Sequence, residues 1–325
     1  MKRLGLIVVP AAFVALTTCG AAHSAAQDYP TRPLRLIVPF VPGGSADFFG
    51  RVIAPELTEK LGQPVVVDNR GGAGGTIGAE LGAKAAPDGY TMVLATANMA
   101  MNVSLYTRWT VDPLRDFVAV SHLGSAPNII AVNPSLPVKS VKELIALAKA
   151  KPGQIRYASG GSGSTSHLAT ELLKTMADID LLHVPYKGTG PAIVAVLSGE
   201  SSVLVPPASV VLPFDKTGKL RALAISSEAR FEAAPHLPTV AEAGVRGYEA
   251  AQWYGVLVPA GTPRNIVTRL NRELVAIVTN PDFKARLLTQ ATMVSGTTPE
   301  AFAAYFKSEI AKWGKVVKFS GARVE

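Results

Sequence analysis

From residue 34 onward, short apolar runs alternate with amphipathic stretches, the rhythm of βαβ units in an α/β protein. The apolar runs predict strands over residues 34–38, 65–67, 92–95, 129–132, 155–158, 203–205, 220–225 and 255–258. Between them, Ser140 and Glu143 form a capping box ahead of Leu144, Ile145, Leu147 and Ala148, which predicts a helix start. Thr262 with Pro263, and Thr298 with Pro299, read as N-cap and N1 pairs of two later helices. Ile266, Leu270 and Leu274 recur one turn apart and predict a stripe facing the core.

A chain of 325 residues is long enough for about two domains. No repeat and no low-complexity linker separates them, so the chain is expected to cross between two lobes more than once. The Pro/Gly-poor passage 117–132 reads as one crossing and the region 251–258 as the return.

The N-terminus has its own pattern. Lys2 and Arg3 precede an apolar run over residues 4–16, and Ala21, Ala22, Ser24, Ala25 and Ala26 follow. The run is short of the roughly 20 residues that span a bilayer and reads as a secretory signal over residues 1–26, cleaved after Ala25 or Ala26; a retained anchor is the alternative. Cys19, the only cysteine, falls inside it. The mature chain would then have no disulfide, thiolate metal site or cysteine nucleophile, which suits an oxidising compartment such as a bacterial periplasm. Lipidation at Cys19 is the lesser alternative, because Thr18 is bulkier than the small residue such signals place there. Loss of Lys2 and Arg3 takes two from a net charge of +8. The remaining basic residues are dispersed singly, which gives no support to nucleic-acid binding, whereas a mild positive field suits capture of small anions.

Three glycine-rich loops each follow a predicted strand and enter a predicted helix: residues 39–47, 69–75 and 159–167. Each would offer backbone N–H groups at a helix N-terminus, where unpaired donors and the macrodipole favour a carboxylate or phosphate. Gly72, Gly74 and Gly78 miss the dinucleotide spacing and the third loop lacks the lysine of a phosphate loop, so no nucleotide cofactor, and no cofactor of any kind, is expected. Tight turns alone would explain any single loop; three at the carboxyl ends of strands point to a ligand crevice. Gly160, Ser162 and Ser164 fail the last position of a nucleophile elbow, leaving His167 with weak support as a catalytic base. His122, His167, His183 and His236 show no metal-ligand spacing, so no metal site and no catalytic residue is assigned. Tyr186 and Lys187 sit in a fourth polar loop, where Lys187 is either a ligand charge or a solvated side chain. Trp253 and Tyr254 read as core or hinge packing, with lining of a cleft as the alternative.

Pro42, Gly43, Gly44, Asp47 and Arg51, then Asn69 to Gly75, then Pro87 to Thr91, resemble the N-terminal half of the Bug proteins, the periplasmic solute receptors of tripartite tricarboxylate transporters. Ser159 to Ser164 with His167, Val184 to Gly188, Pro238, Thr239, Glu242 and Gly244, and Trp253, Gly255, Pro259 and Gly261 to Pro263 continue the resemblance in order along the chain. The resemblance implies an α/β, two-lobed periplasmic binding fold with two crossovers, each lobe a mostly parallel sheet flanked by helices. Lobe 1 is then 27–127 plus 251–325, and lobe 2 is 128–250. It further implies a monomer that closes on a small organic acid and delivers it to membrane transporter subunits, without catalysing a reaction. Carried over, the ligand-binding residues are Phe40, Pro42, Gly43, Gly44, Ser45 and Asp47; Ala97, Asn98 and Met99; and Gly161, Ser162, Gly163, Ser164 and His167, with Tyr186 and Pro206 beside them.

The chain departs from the family after Gly199, where an acidic residue and a Phe-Asp pair give way to Ser202, Val205, Pro206 and Pro207. Losing that carboxylate and an N–H donor predicts a less polar wall and disfavours an amino-acid ligand against a plain or aromatic carboxylate. Two other functions stay open: a secreted α/β hydrolase or transferase using His167 with a nearby serine, and a ligand-dependent sensor docking on a signalling partner.

Overall fold

β1 (Leu34–Val38) and β2 (Val65–Asn69) form from runs of Leu, Ile and Val and lie parallel, joined by α1 (Ser45–Leu61). α2 (Thr76–Ala83) leads to β3 (Thr91–Thr96), parallel to the other edge of β1, and α3 (Ala97–Leu105) and α4 (Pro113–Asp116) lead to β4 (Phe117–Pro127). One residue later the chain is in a second sheet as β5 (Ile129–Val132). That sheet is completed through α5 (Val141–Ala150), β6 (Arg156–Ser159), α6 (Thr165–Ala177), β7 (Leu182–Pro185), α7 (Thr189–Leu197), β8 (Val203–Leu204), α8 (Ala208–Lys216) and β9 (Arg221–Ile225). The chain returns to the first sheet as β10 (Ala251–Pro259), followed by α9 (Arg264–Val278), α10 (Pro281–Leu288), β11 (Met293–Val294) and α11 (Pro299–Ser320). This computed structural model describes residues 29–289 and 291–324; the signal segment predicted over residues 1–26, with Cys19, lies outside them. No helix among the described residues is long and apolar enough to cross a membrane.

The sheets run β11-β4-β10-β3-β1-β2 and β7-β6-β8-β5-β9. Both are mixed, where mostly parallel sheets were expected. β10 in the first and β5 in the second run against both neighbours. These are the strands by which the chain enters one sheet from the other, and neither follows the crossover helix that parallel pairing requires. The apolar runs missed β4 as a continuous strand, because Ser121, His122, Gly124 and Ser125 interrupt it, and missed β7, an edge strand with little burial that ends at Pro185.

Ser140 caps α5 by accepting the Glu143 N–H at 3.1 Å, while the Glu143 carboxylate reaches one residue beyond the cap, to the Lys139 N–H at 2.7 Å. Thr298 caps α11 with Pro299 at N1 as expected. Thr262 does not cap α9: its hydroxyl donates back to the Pro259 carbonyl at 2.7 Å, and Pro263 takes the N-cap position. α11 packs on α3 and β4 and also on α6, so one apolar cluster runs from Val93 and Phe302 through Trp313 to Tyr157 and Leu168.

Asn128 stands where the chain leaves the first sheet, and Ala250 where it comes back. The Asn128 side-chain amide donates to the Ala250 carbonyl at 2.7 Å, the Ser226 hydroxyl donates to that same carbonyl at 2.7 Å, and the Asn128 N–H donates to the Ser226 hydroxyl at 2.7 Å. The two crossing segments are thereby clasped together. Asn128→Ala is expected to cost only about 1 kcal/mol, since it also removes a buried side-chain oxygen that has no partner. In a double-mutant cycle with Ser226→Ala, urea unfolding should give a coupling of about 0.5 kcal/mol or more through the shared carbonyl, and strict additivity would count against the clasp.

Candidate ligand-binding cleft

The loop between β1 and α1 turns at Gly43, whose φ of +90° is a left-handed conformation suited to glycine. Asp47, buried in the first turn of α1, accepts the Gly43 N–H at 2.9 Å and Arg51 Nε at 2.9 Å on each oxygen. The Arg51 hydrogen bond, helped by the Gly43 amide, holds the Asp47 carboxyl below its usual range. Asn69 braces the same loop by donating to the Phe40 carbonyl at 3.1 Å, which gives the second glycine-rich loop a supporting part.

Five helices start around one cleft: α8, with Pro207 at its N-cap, and four that open together on one chamber. Gly44, Ser45 and Ala46 open α1, Asn98 lies in the first turn of α3, Ser164 and Thr165 open α6, and Thr189 opens α7; all line a chamber of about 320 Å³. Ser164 caps α6 by accepting the His167 N–H at 3.3 Å. The ends of α1, α3 and α7 have no side-chain cap, so their first N–H groups are left without a capping acceptor at the cleft. A second chamber of about 280 Å³ shares Gly44, Ser45, Pro207 and Gln252 with the first and is walled by Phe48, Phe49, Ala126 and Tyr254. Phe49 stacks on Tyr254 at 4.6 Å, and burial pushes the Tyr254 phenol up to about 12, so it stays a neutral donor. Among the described residues no Lys, Arg, His, Asp or Glu lines either chamber.

Of the residues expected at the ligand, Phe40, Gly43, Gly44, Ser45, Asn98 and Ser164 line the two chambers. Pro42, Asp47 and Ala97 lie beside them off the lining; Met99 faces a separate space of about 10 Å³ with Phe40 and Asn98. Gly161, Ser162 and Gly163 are also off the lining. Their loop uses its donors internally: Gly160, Gly161 and Gly163 give their N–H groups to Ser166, Ser159 and His167 Nδ1 at 3.0, 3.1 and 3.0 Å. Tyr186 donates to Glu200 at 2.8 Å away from the chambers, and Lys187 is exposed. Pro206 is buried with its carbonyl accepting from the Ile129 N–H at 2.9 Å; Pro207 is the proline on the cleft wall. Trp253 is core, while Tyr254 and the unforeseen Gln252, two residues apart on one face of β10, line the cleft.

His167 lies beneath the loop as a support. By accepting from Gly163 at Nδ1 it carries its proton on Nε2, and its ring stacks on His183 at 4.1 Å, which stacks on Tyr157 at 4.7 Å. Ser159 Oγ is 2.6 Å from His183 Nε2, but Ser159 is fully buried and out of reach of a substrate. Burial pulls His122, His167 and His183 down to about 4, with Lys174 adding for His167 and His167 adding for His183. Their pKa values are depressed below the unfolded value near 6.5, so the stability they confer is whole above about pH 6.5 and is lost as pH falls toward 4. Urea unfolding should show stability nearly unchanged from about pH 7.5 to about 6.5 and then falling toward pH 4, by at most about 1.4 kcal/mol per pH unit for each histidine still neutral in the fold. A flat profile over that window would contradict the buried neutral rings.

A two-lobed α/β fold with a cleft ringed by helix N-termini, and lined by no charged side chain among the described residues, is the architecture of small-molecule binding proteins of the periplasmic receptor type. The chain belongs to the tripartite tricarboxylate transporter family receptors, whose family model matches residues 49–321. It is 38% identical to protein BugT of Bordetella pertussis over 100% of both chains. Among solved structures it is similar to R. palustris Rpa4515 with adipate, at 39% identity and a TM-score of 0.77 over 90% of this chain and 99% of that one. It is also similar to MatC (Rpa3494) from Rhodopseudomonas palustris with bound malate, at 31% identity and a TM-score of 0.73 over 89% of this chain and 100% of the other. The family is one of solute receptors.

Proposed function

We propose that this chain is a periplasmic receptor that binds a small organic carboxylate in the cleft between lobe 1 (27–127 plus 251–325) and lobe 2 (128–250) and delivers it, as a monomer, to the membrane subunits of a tripartite tricarboxylate-type transporter. The observation that carries this reading is the convergence of α1, α3, α6 and α7 on one chamber lined, among the described residues, by no charged side chain, with three of these four helix ends lacking a side-chain cap. Such ends offer N–H donors and partial positive charge to an anion. The adipate and malate in the two similar structures support a carboxylate as that anion. Residues 1–26 serve export in this reading, and no reaction is part of it. Deleting the gene should abolish uptake of one radiolabelled carboxylate, with recovery on complementation. Unchanged uptake of every carboxylate tried, together with turnover of simple esters by the purified protein, would replace the receptor with the hydrolase.

A further inference from the structure

Gln252 is the most distinctive polar group of the cleft. It lies on β10, whose nine residues are all buried, and is itself 8% exposed. Its carboxamide has no hydrogen-bond partner among the described residues, yet it lines both chambers. A buried amide with two donors and an acceptor is normally paired, and its partner here has to come from the cleft. The starts of α1 and α8 and Gln252 line both chambers; α3, α6 and α7 open only on the first, while Phe48, Phe49, Ala126 and Tyr254, with Ser209 and Thr292 beside them, wall only the second.

We infer that the ligand is a monocarboxylate with an apolar body, a ring or an unbranched chain, and that Gln252 is the residue that selects it. This rests on the carboxylate reading above. The carboxylate sits at the ends of α1, α3, α6 and α7 and accepts from the Gln252 side-chain amide at the junction. The body lies in the chamber of about 280 Å³ against Phe48 and Tyr254. Malate or citrate would set hydroxyls and further carboxylates against that wall, where no charged side chain among the described residues compensates them.

Calorimetric titration of the wild-type protein with phenylacetate, hexanoate, malate and citrate tests this without any substitution. Phenylacetate or hexanoate should bind at least about tenfold more tightly than malate and citrate, and which of the two binds better tells a ring from a chain. Gln252→Met, checked for unaltered cooperative melting, should weaken the preferred monocarboxylate by about tenfold or more through loss of a charge-assisted hydrogen bond. Unchanged affinity in that variant overturns the role of Gln252. Tighter binding of malate or citrate overturns the inference and leaves the carboxylate receptor standing, whereas binding of none of the four overturns both. Should Gln252→Met fail to fold, the wild-type series decides the ligand class and Gln252→Leu repeats the test of the residue.

Discussion

Alanine at Asp47 is expected to weaken carboxylate binding by about 30- to 100-fold, corresponding to the roughly 2–3 kcal/mol of a buried charge-assisted hydrogen bond. Asp47 does not line the cleft. It fixes the Gly43 N–H at 2.9 Å and anchors Arg51, and Arg51 in turn donates to Asn69 Oδ1 at 3.2 Å, so one carboxylate sets the entry of α1 and the presentation of its free amides. Without it, ligand binding must first order the loop. Asp47→Asn keeps an oxygen for Gly43 and loses the ion pair, so affinity should fall by less than about tenfold. Calorimetry on the three proteins checks this, and wild-type affinity in Asp47→Ala would show that the loop needs no such anchor. Because the Asp47 pKa is depressed in the fold, its contribution is whole above the unfolded carboxyl value near 3.9 and is lost as pH drops below it.

The largest loss of stability is expected from Glu309→Ala, at about 4 kcal/mol. Glu309 is buried in α11, and one of its oxygens accepts from both Trp253 Nε1 and Trp313 Nε1 at 2.9 Å, while the other pairs with Lys312. Alanine strands two buried indole N–H groups and leaves Lys312 only Glu249, at 3.4 Å. Trp253 lies on β10 and Trp313 on α11, so the damage falls on the seam that fastens the C-terminal helix to the returning strand. Glu309→Gln, which retains a carbonyl acceptor, should lose about half as much. Denaturant unfolding measures both, and a cost below about 1 kcal/mol for alanine would mean that the indoles find other acceptors.

The sequence made legible those features whose cause is local. A left-handed turn needs Gly43, a capped helix shows Ser140 or Thr298, and a core stripe shows Leu270 and Leu274, both fully buried. Gln252 was hidden, and the choice between core and cleft for Tyr254 left open, because β10 is buried on both faces and its apolar run carries no alternation to reveal which side meets the cleft. The choice between Pro206 and Pro207 turned on register after β8, which is only two residues long and too short for a pattern. The second-lobe glycines looked like donors to a ligand, yet Ser159, Ser166 and His167 consume those donors, a pairing that depends on side chains meeting in space. The two chambers themselves join residues as distant as Gly43 and Thr292, beyond the reach of any local motif.

Thermal unfolding of the mature protein, refolded to strip any retained solute, against carboxylates, amines, amino acids and neutral vitamins tests the central claim most directly. A carboxylate present at about 100 times its dissociation constant should add roughly 2.7 kcal/mol of stability and raise the midpoint by several degrees, while the matching amide or ester leaves it unmoved. A rise produced by amines or neutral vitamins and by no carboxylate would contradict the reading of the helix-ringed cleft as a carboxylate site.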